Sequence, residues 1–137
     1  NMKRDISKKR LLDYPIEQVW QCLTDPKLLS WLGEAEIELK EGGKVTFREN
    51  GNEYHGEILT VQKPINLAYS WNDPGHSFTS YVWWKLMDKK GQTLLELEHS
   101  GFKGIMGILA SYSYKSCWSR KFRNLEKTLK EIVIETT

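Results

Sequence analysis

Residues Ser113–Ile132, SYKSCWSRKFRNLEKTLKEI, decide how the rest of the chain is read. Trp118, Phe122, Leu125, Leu129 and Ile132 recur at steps of four, three, four and three. That is the spacing of one face of an α-helix. Between them lie Lys115, Arg120, Lys121, Arg123, Lys127 and Lys130, with Glu126 and Glu131, which read as the solvated face. Burying five large apolar side chains is worth roughly 10 kcal/mol as an upper bound. A helix of this length needs a broad apolar partner, and the remaining residues have to supply it.

The totals narrow the classes. A chain of 137 residues, 39% apolar and 28% charged, suits a single globular domain, 1–137, with a core of ordinary size. No apolar run is long enough to span a membrane. The start of the chain is polar and charged through Arg10 and shows no secretory pattern. Cys22 and Cys117 form neither a metal spacing nor a disulfide framework, so they are expected to be free thiols in the cytoplasm. A net charge of +2 gives no reason to expect nucleic acid. Six tryptophans and six tyrosines are the unusual feature. At that density, aromatic side chains fill a core or line a pocket.

Lys3 to Asp13 alternates weakly and reads as a first strand. Pro15 opens a helix in which Ile16, Val19, Trp20 and Leu23 share a face. Thr24-Asp25-Pro26 ends it and caps a second, short helix that stops at Gly33. From Ala35 the period changes to two, with Ala35, Ile37 and Leu39 inward and Glu34, Glu36 and Glu38 outward. Val45 and Phe47 continue that face. Asn50-Gly51 signals a hairpin, and Gly56 inside the next strand signals a bend or a close approach. Further strands carry Leu67, Tyr69 and Trp71, then Phe78, Val82, Trp84 and Leu86, then Leu95, Leu97 and His99. Turns fall at Asp73-Pro74-Gly75 and Lys89-Lys90-Gly91. One strand, two helices, six antiparallel strands and a long helix make an α+β architecture.

Several blocks coincide with a known pattern. Tyr14-Pro15-Ile16-Glu17-Gln18-Val19-Trp20, Leu23-Thr24-Asp25-Pro26 and Trp31-Leu32-Gly33 come first. Gly42-Gly43, Gly56-Glu57-Ile58-Leu59, and Pro64 with Leu67 through Trp71 follow. Gly91-Gln92-Thr93, Leu95 through Phe102, and Trp118 before Leu125 complete it. Together they resemble the AHSA-type domains of the START/SRPBCC superfamily, which also holds the birch-pollen-allergen proteins. Cys117 departs from the pattern, which often has glycine before that tryptophan. The resemblance implies a helix-grip fold: a curved antiparallel sheet around the C-terminal helix, with an elongated apolar cavity between them. It also implies either a carrier of small molecules or, as in the namesake co-chaperone, a partner of a chaperone ATPase.

On this basis the expected ligand-binding residues are Phe47, Tyr69, Trp71, Phe78, Trp84, Leu97, His99, Tyr114 and Trp118. The competing reading is that the aromatic rings are simply core. Tyr112 is expected beside Tyr114 at the mouth. His99, in phase with Leu95 and Leu97, is either a ligand donor, a general base or a structural histidine, whereas His55 and His76 read as surface residues. Gly101, Gly104 and Gly107 read as a flexible loop that lets the helix start, or as a gate over the cavity, with the spacing of no phosphate cradle. No metal spacing, catalytic triad or cofactor motif is found. The leading expectation is a binding protein for a small apolar or aromatic ligand such as a lipid, polyketide or flavonoid, present as a monomer or weak dimer. The alternatives are a chaperone partner, or a cyclase or hydrolase of a cavity-bound substrate.

Overall fold

The computed structural model describes residues 5–136, with side chains through Ile132. Lys3 and Arg4, assigned above to the first strand, lie outside these residues. Strand β1 (Ile6–Leu12) leads into helix α1 (Ile16–Thr24) and a 3₁₀ helix (Pro26–Trp31). Six strands follow: β2 (Glu34–Ile37), β3 (Lys44–Glu49), β4 (Asn52–Gln62), β5 (Asn66–Asn72), β6 (Thr79–Lys89) and β7 (Gln92–Ser100). Helix α2 (Gly104–Thr136) comes last. The strands form one curved antiparallel sheet in the order β1-β7-β6-β5-β4-β3-β2, and the long helix gives it the helix-grip form.

Local chemistry sets the turns. Asn50 and Gly51 both have positive φ, 53° and 79°, as a two-residue type I′ hairpin requires. Lys90 and Gly91 repeat that arrangement at 55° and 90°. Asp25 caps the 3₁₀ helix by accepting from the Lys27 N–H at 3.0 Å. Trp31 then closes this helix onto α1, donating its indole N–H to the Cys22 carbonyl at 2.8 Å.

The sheet and α2 share one core. Val45, Phe47, Ile58, Leu67, Tyr69, Val82, Trp84, Leu95 and Leu97 are buried on the sheet side. Trp118, Phe122, Leu125 and Leu129 are buried on the helix side. Trp84 sits at the centre, with ring centroids 5.5 Å from Trp118, 5.9 Å from Phe122 and 5.9 Å from Trp31. Its N–H donates to Tyr69 Oη at 3.0 Å. Even the basic strand β1 contributes: Lys8 Nζ lies 5.4 Å from the centre of the Phe122 ring. Arg10 pairs with Glu126 of α2 at 3.1 Å.

Several sequence-based expectations need correction. The final helix begins at Gly104, not near Ser113, so Gly104 and Gly107 are helical. Gly107 is buried, and a Cβ there would stand 2.7 Å from the Phe102 carbonyl carbon. The glycine thus lets the helix start pack tightly, where the sequence reads as a loop. Phe78 precedes β6 and is half-buried. Leu39, expected inward, is 42% exposed because β2 ends at Ile37. Tyr112, expected beside Tyr114 at the mouth, is 69% exposed and does not line the groove that Tyr114 borders.

Gly56 bends β4. A Cβ there would lie 1.8 Å from the Ser70 carbonyl oxygen of β5, and the β4–β5 register shifts between Ile58 and Thr60. Gly56→Ala must therefore push two backbones apart. It should lower stability by about 2 kcal/mol, read as a reduced urea midpoint; an unchanged midpoint would show that the close approach is dispensable.

Candidate functional site

Beneath the exposed start of α2, the sheet rim leaves a groove of about 420 Å³. Asn52 and Tyr54 from β4 form one wall, and Asp73 and His76 from the β5–β6 turn form another. Met106, Leu109, Ala110, Ser113, Tyr114 and Cys117 of α2 complete it. At its inner end lies a small enclosed space of about 40 Å³, bounded by Leu32, Glu49, Trp71, Trp118 and Lys121. Tyr54, Tyr114 and Cys117 border both volumes, so the two are adjacent, with these three side chains between them. A larger concavity of about 570 Å³ lies over Thr46, His55 and Ser70. No phenyl, phenol or indole ring lines it, and it lacks the apolar walls that small-molecule sites use.

The groove floor carries an ordered polar chain. Trp71 donates its N–H to Tyr114 Oη at 2.8 Å, and that hydroxyl donates to Asp73 Oδ2 at 2.5 Å. The Gly75 N–H holds the other carboxylate oxygen at 2.8 Å. Burial pushes the Tyr114 pKa up, and the bond to Asp73 pushes it further. Tyr114 therefore stays a neutral phenol with one acceptor position left. The His76 ring stacks on Phe78 at 5.0 Å. Its buried Nδ1 lies 3.3 Å from Asp73 Oδ2 but makes no aligned hydrogen bond. The approach is close but unaligned, which leaves Nδ1 an unmet polar atom. His76 is thus half-buried and part of the groove, not the ordinary surface residue its turn position implies.

Deeper in, the second polar chain is closed. Trp118 donates to His99 Nδ1 at 2.9 Å, and His99 Nε2 lies 2.8 Å from Ser80 Oγ. Ser80 in turn donates to the Trp71 carbonyl at 3.2 Å. With Nδ1 accepting, the network assigns the proton to Nε2. Both ring nitrogens are committed within the fold, and burial pushes the His99 pKa down to about 3.

Lys121 reverses an expectation. It is buried, only 4% exposed, where the sequence places it on the solvated face. Its ammonium donates to the Leu32 carbonyl at 3.1 Å and pairs closely with Glu49 at the end of β3. The signal was present: Lys121 lies three residues after Trp118 and four before Leu125, at the edge of the apolar stripe. Residue type alone hid it.

The expected ligand residues divide accordingly. Phe47, Tyr69, Trp84 and Leu97 are fully packed core side chains. Phe78 and His99 back the groove through His76 and Tyr114, with centroid distances of 5.0 and 4.9 Å. Trp71, Tyr114 and Trp118 border the inner space. Asp73, His76, Tyr54, Glu49, Cys117 and Lys121 are not among the expected residues; in the sequence Asp73 reads as a turn residue and His76 as a surface residue. Cys117 is half-buried with its pKa raised, chiefly by burial, so it is not an activated nucleophile. Among the described residues, no group of three or more His, Cys, Asp or Glu side chains is placed to hold a metal. No helix among them is long and apolar enough to cross a membrane.

Two measurements test these assignments. His99 is neutral when folded, so between pH 6.5 and about 3 the unfolded chain binds the extra proton. Its contribution is complete above pH 6.5 and is lost as pH falls. Wild type should therefore lose up to about 1.4 kcal/mol per pH unit more than His99→Gln between about pH 6 and about pH 4. Equal slopes in urea titrations would remove His99 as the cause. Lys121→Met should cost about 2 kcal/mol, less than a fully buried pair because Glu49 reaches water. Lys127→Met should stay within about 0.5 kcal/mol of wild type; equal effects would return Lys121 to the solvated face.

Comparison with known proteins places the chain. The family model described as Activator of Hsp90 ATPase homolog 1-like protein matches residues 13–130. Among solved structures, protein MLL2253 from Mesorhizobium loti is 28% identical and superposes with a TM-score of 0.86. The match covers 93% of this chain and 97% of that one. CalU16 from Micromonospora echinospora is also 28% identical, with a TM-score of 0.78 over 96% of this chain and 79% of its own. PFC0360w, an HSP90 activator from Plasmodium falciparum, is 25% identical, with a TM-score of 0.75 over 92% of this chain and 96% of its own. No curated protein matches the sequence. The family match, spread across both helices and every strand from β2 to β7, shows that the chain belongs to the Activator of Hsp90 ATPase homolog 1-like family.

Proposed function

We propose that the groove under α2 holds one small apolar or aromatic molecule whose polar groups are fixed at two points. The supporting observation is a groove of about 420 Å³, walled by apolar side chains of α2 and the rings of Tyr54 and Tyr114, that abuts a second, smaller space. Apolar side chains of α2 and the rings of Tyr54 and Tyr114 supply burial. Asp73, Tyr114 and His76 offer hydrogen bonds near the entrance, and Lys121 with Glu49 offers a donor and an acceptor at the inner end. A few convergent polar groups in an otherwise apolar site give orientation and specificity. Trp71 and Trp118 form the inner wall, while Phe47, Tyr69, Phe78, Trp84, Leu97 and His99 hold that wall in place.

The role is binding without chemistry. His99, the catalytic candidate of the sequence, is bonded at both nitrogens. Cys117 lacks an activating base, and Tyr114 keeps its proton. The unpaired thiols of Cys22 and Cys117 support a reducing, cytoplasmic setting.

A second reading, contact with a chaperone ATPase, is favoured by one observation: the likeness to the Plasmodium HSP90 activator. The two readings separate in one experiment. Tryptophan fluorescence would be titrated with a lipid, a flavonoid and an aromatic polyketide, and an Hsp90-type ATPase would be assayed with added protein. Ligand binding predicts quenching that Ser113→Phe, which narrows the groove from an exposed position, weakens by about tenfold, a loss of about 1.4 kcal/mol. ATPase stimulation unchanged by Ser113→Phe, with no quenching by any compound, would replace the ligand reading with the chaperone reading.

A further inference from the structure

The outward face of α2 takes no part in the core, although Met106 and Leu109 on it also edge the groove. Ile105, Met106, Leu109 and Tyr112 are 77%, 54%, 59% and 69% exposed. Spacings of one, four and seven residues put them on one side of the helix. The same side continues into Arg120, Arg123, Lys127 and Lys130, all exposed. Steps of 18 residues, five helical turns, separate Ile105 from Arg123, Leu109 from Lys127 and Tyr112 from Lys130, so the apolar tip and the basic shaft are in register. The chain carries no Asp or Glu from Phe102 to Leu125. Of the acids beyond, Glu126 is paired with Arg10 and Glu131 stands exposed. From the neighbouring turn, Asp73 is held by Tyr114 and Gly75.

We propose that this face docks on the surface of an anionic lipid bilayer. Four exposed apolar side chains beyond the sheet rim are what an interfacial helix buries at the headgroup boundary. A basic stripe along the same line is what anionic headgroups attract. An acidic protein would match the charge but would also need a pocket for all four apolar side chains. The bilayer meets both demands with one flat surface. Contact is peripheral, since no helix among the described residues suits a membrane span. Met106 and Leu109 also line the groove, so docking would set the groove entrance against the acyl layer.

The test is co-sedimentation with phosphatidylcholine vesicles, with and without phosphatidylserine. Binding should be about tenfold tighter to the anionic vesicles at low salt and should fall as salt rises. Ile105→Ser with Leu109→Ser should abolish it without changing charge. Arg123→Gln with Lys127→Gln should remove the preference for phosphatidylserine. Both pairs are exposed, so unchanged circular dichroism is expected. Ser113→Phe should keep vesicle binding even if it loses the ligand, which separates this proposal from the groove reading. No sedimentation with either vesicle overturns it, as does equal binding by the double-serine variant. Capture by soluble polyglutamate without vesicle binding would assign the face to an acidic protein. A dimer dissolved by the double-serine substitution, again without vesicle binding, would assign it to a second copy of this chain; either result overturns the proposal.

Discussion

A neutral imidazole in a dry core ties the molecule together. His99 reaches α2 through Trp118 and β6 through Ser80, and Ser80 reaches β5 through the Trp71 carbonyl. Three strands and the helix are thus joined by a single directed chain of donors. Each bond fixes the orientation of the next, so the rings around it have little freedom to rotate. The Trp71 indole is held from both sides: its carbonyl is anchored in this inner chain, and its N–H begins the chain to Tyr114 and Asp73. The interior therefore positions the groove floor, and the site inherits the rigidity of the core.

That arrangement explains how space survives in so aromatic a protein. Packing at interior density leaves few voids, and the rings around Trp84 fill the middle of the grip. The groove persists only towards the start of α2, where the side chains facing the sheet shrink to Gly107 and Ala110. At the inner end, the ammonium of Lys121 cannot be covered by apolar side chains without losing its partners. Glu49 and the Leu32 carbonyl hold it at the boundary between dry core and groove.

Much of the fold is legible in the residues because its signals are local and repetitive. Alternation marks β3, β5, β6 and β7. Asn50-Gly51 and Lys90-Gly91 announce their turns, and the stripe from Trp118 to Ile132 marks α2. The start of α2 is not legible, since its apolar residues face water and its glycines look like a loop. The site is harder still. Asp73 and His76 join it through a turn whose direction no periodicity encodes. Lys121 is misread because charge is taken as a sign of exposure, although its position beside Trp118 and Leu125 says otherwise. Trp71, Tyr114 and Trp118, which border the inner space, follow from simple phase along their strand and helix.

The position of Cys117 has a practical consequence. The protein's other thiol, Cys22, is buried on the inner face of α1, with its pKa pushed up to about 12. Cys117 borders both the groove and the inner space. Alkylation of Cys117 is therefore expected to be slow, because burial raises its pKa, and any group seated between Tyr54 and Tyr114 would shield the sulfur.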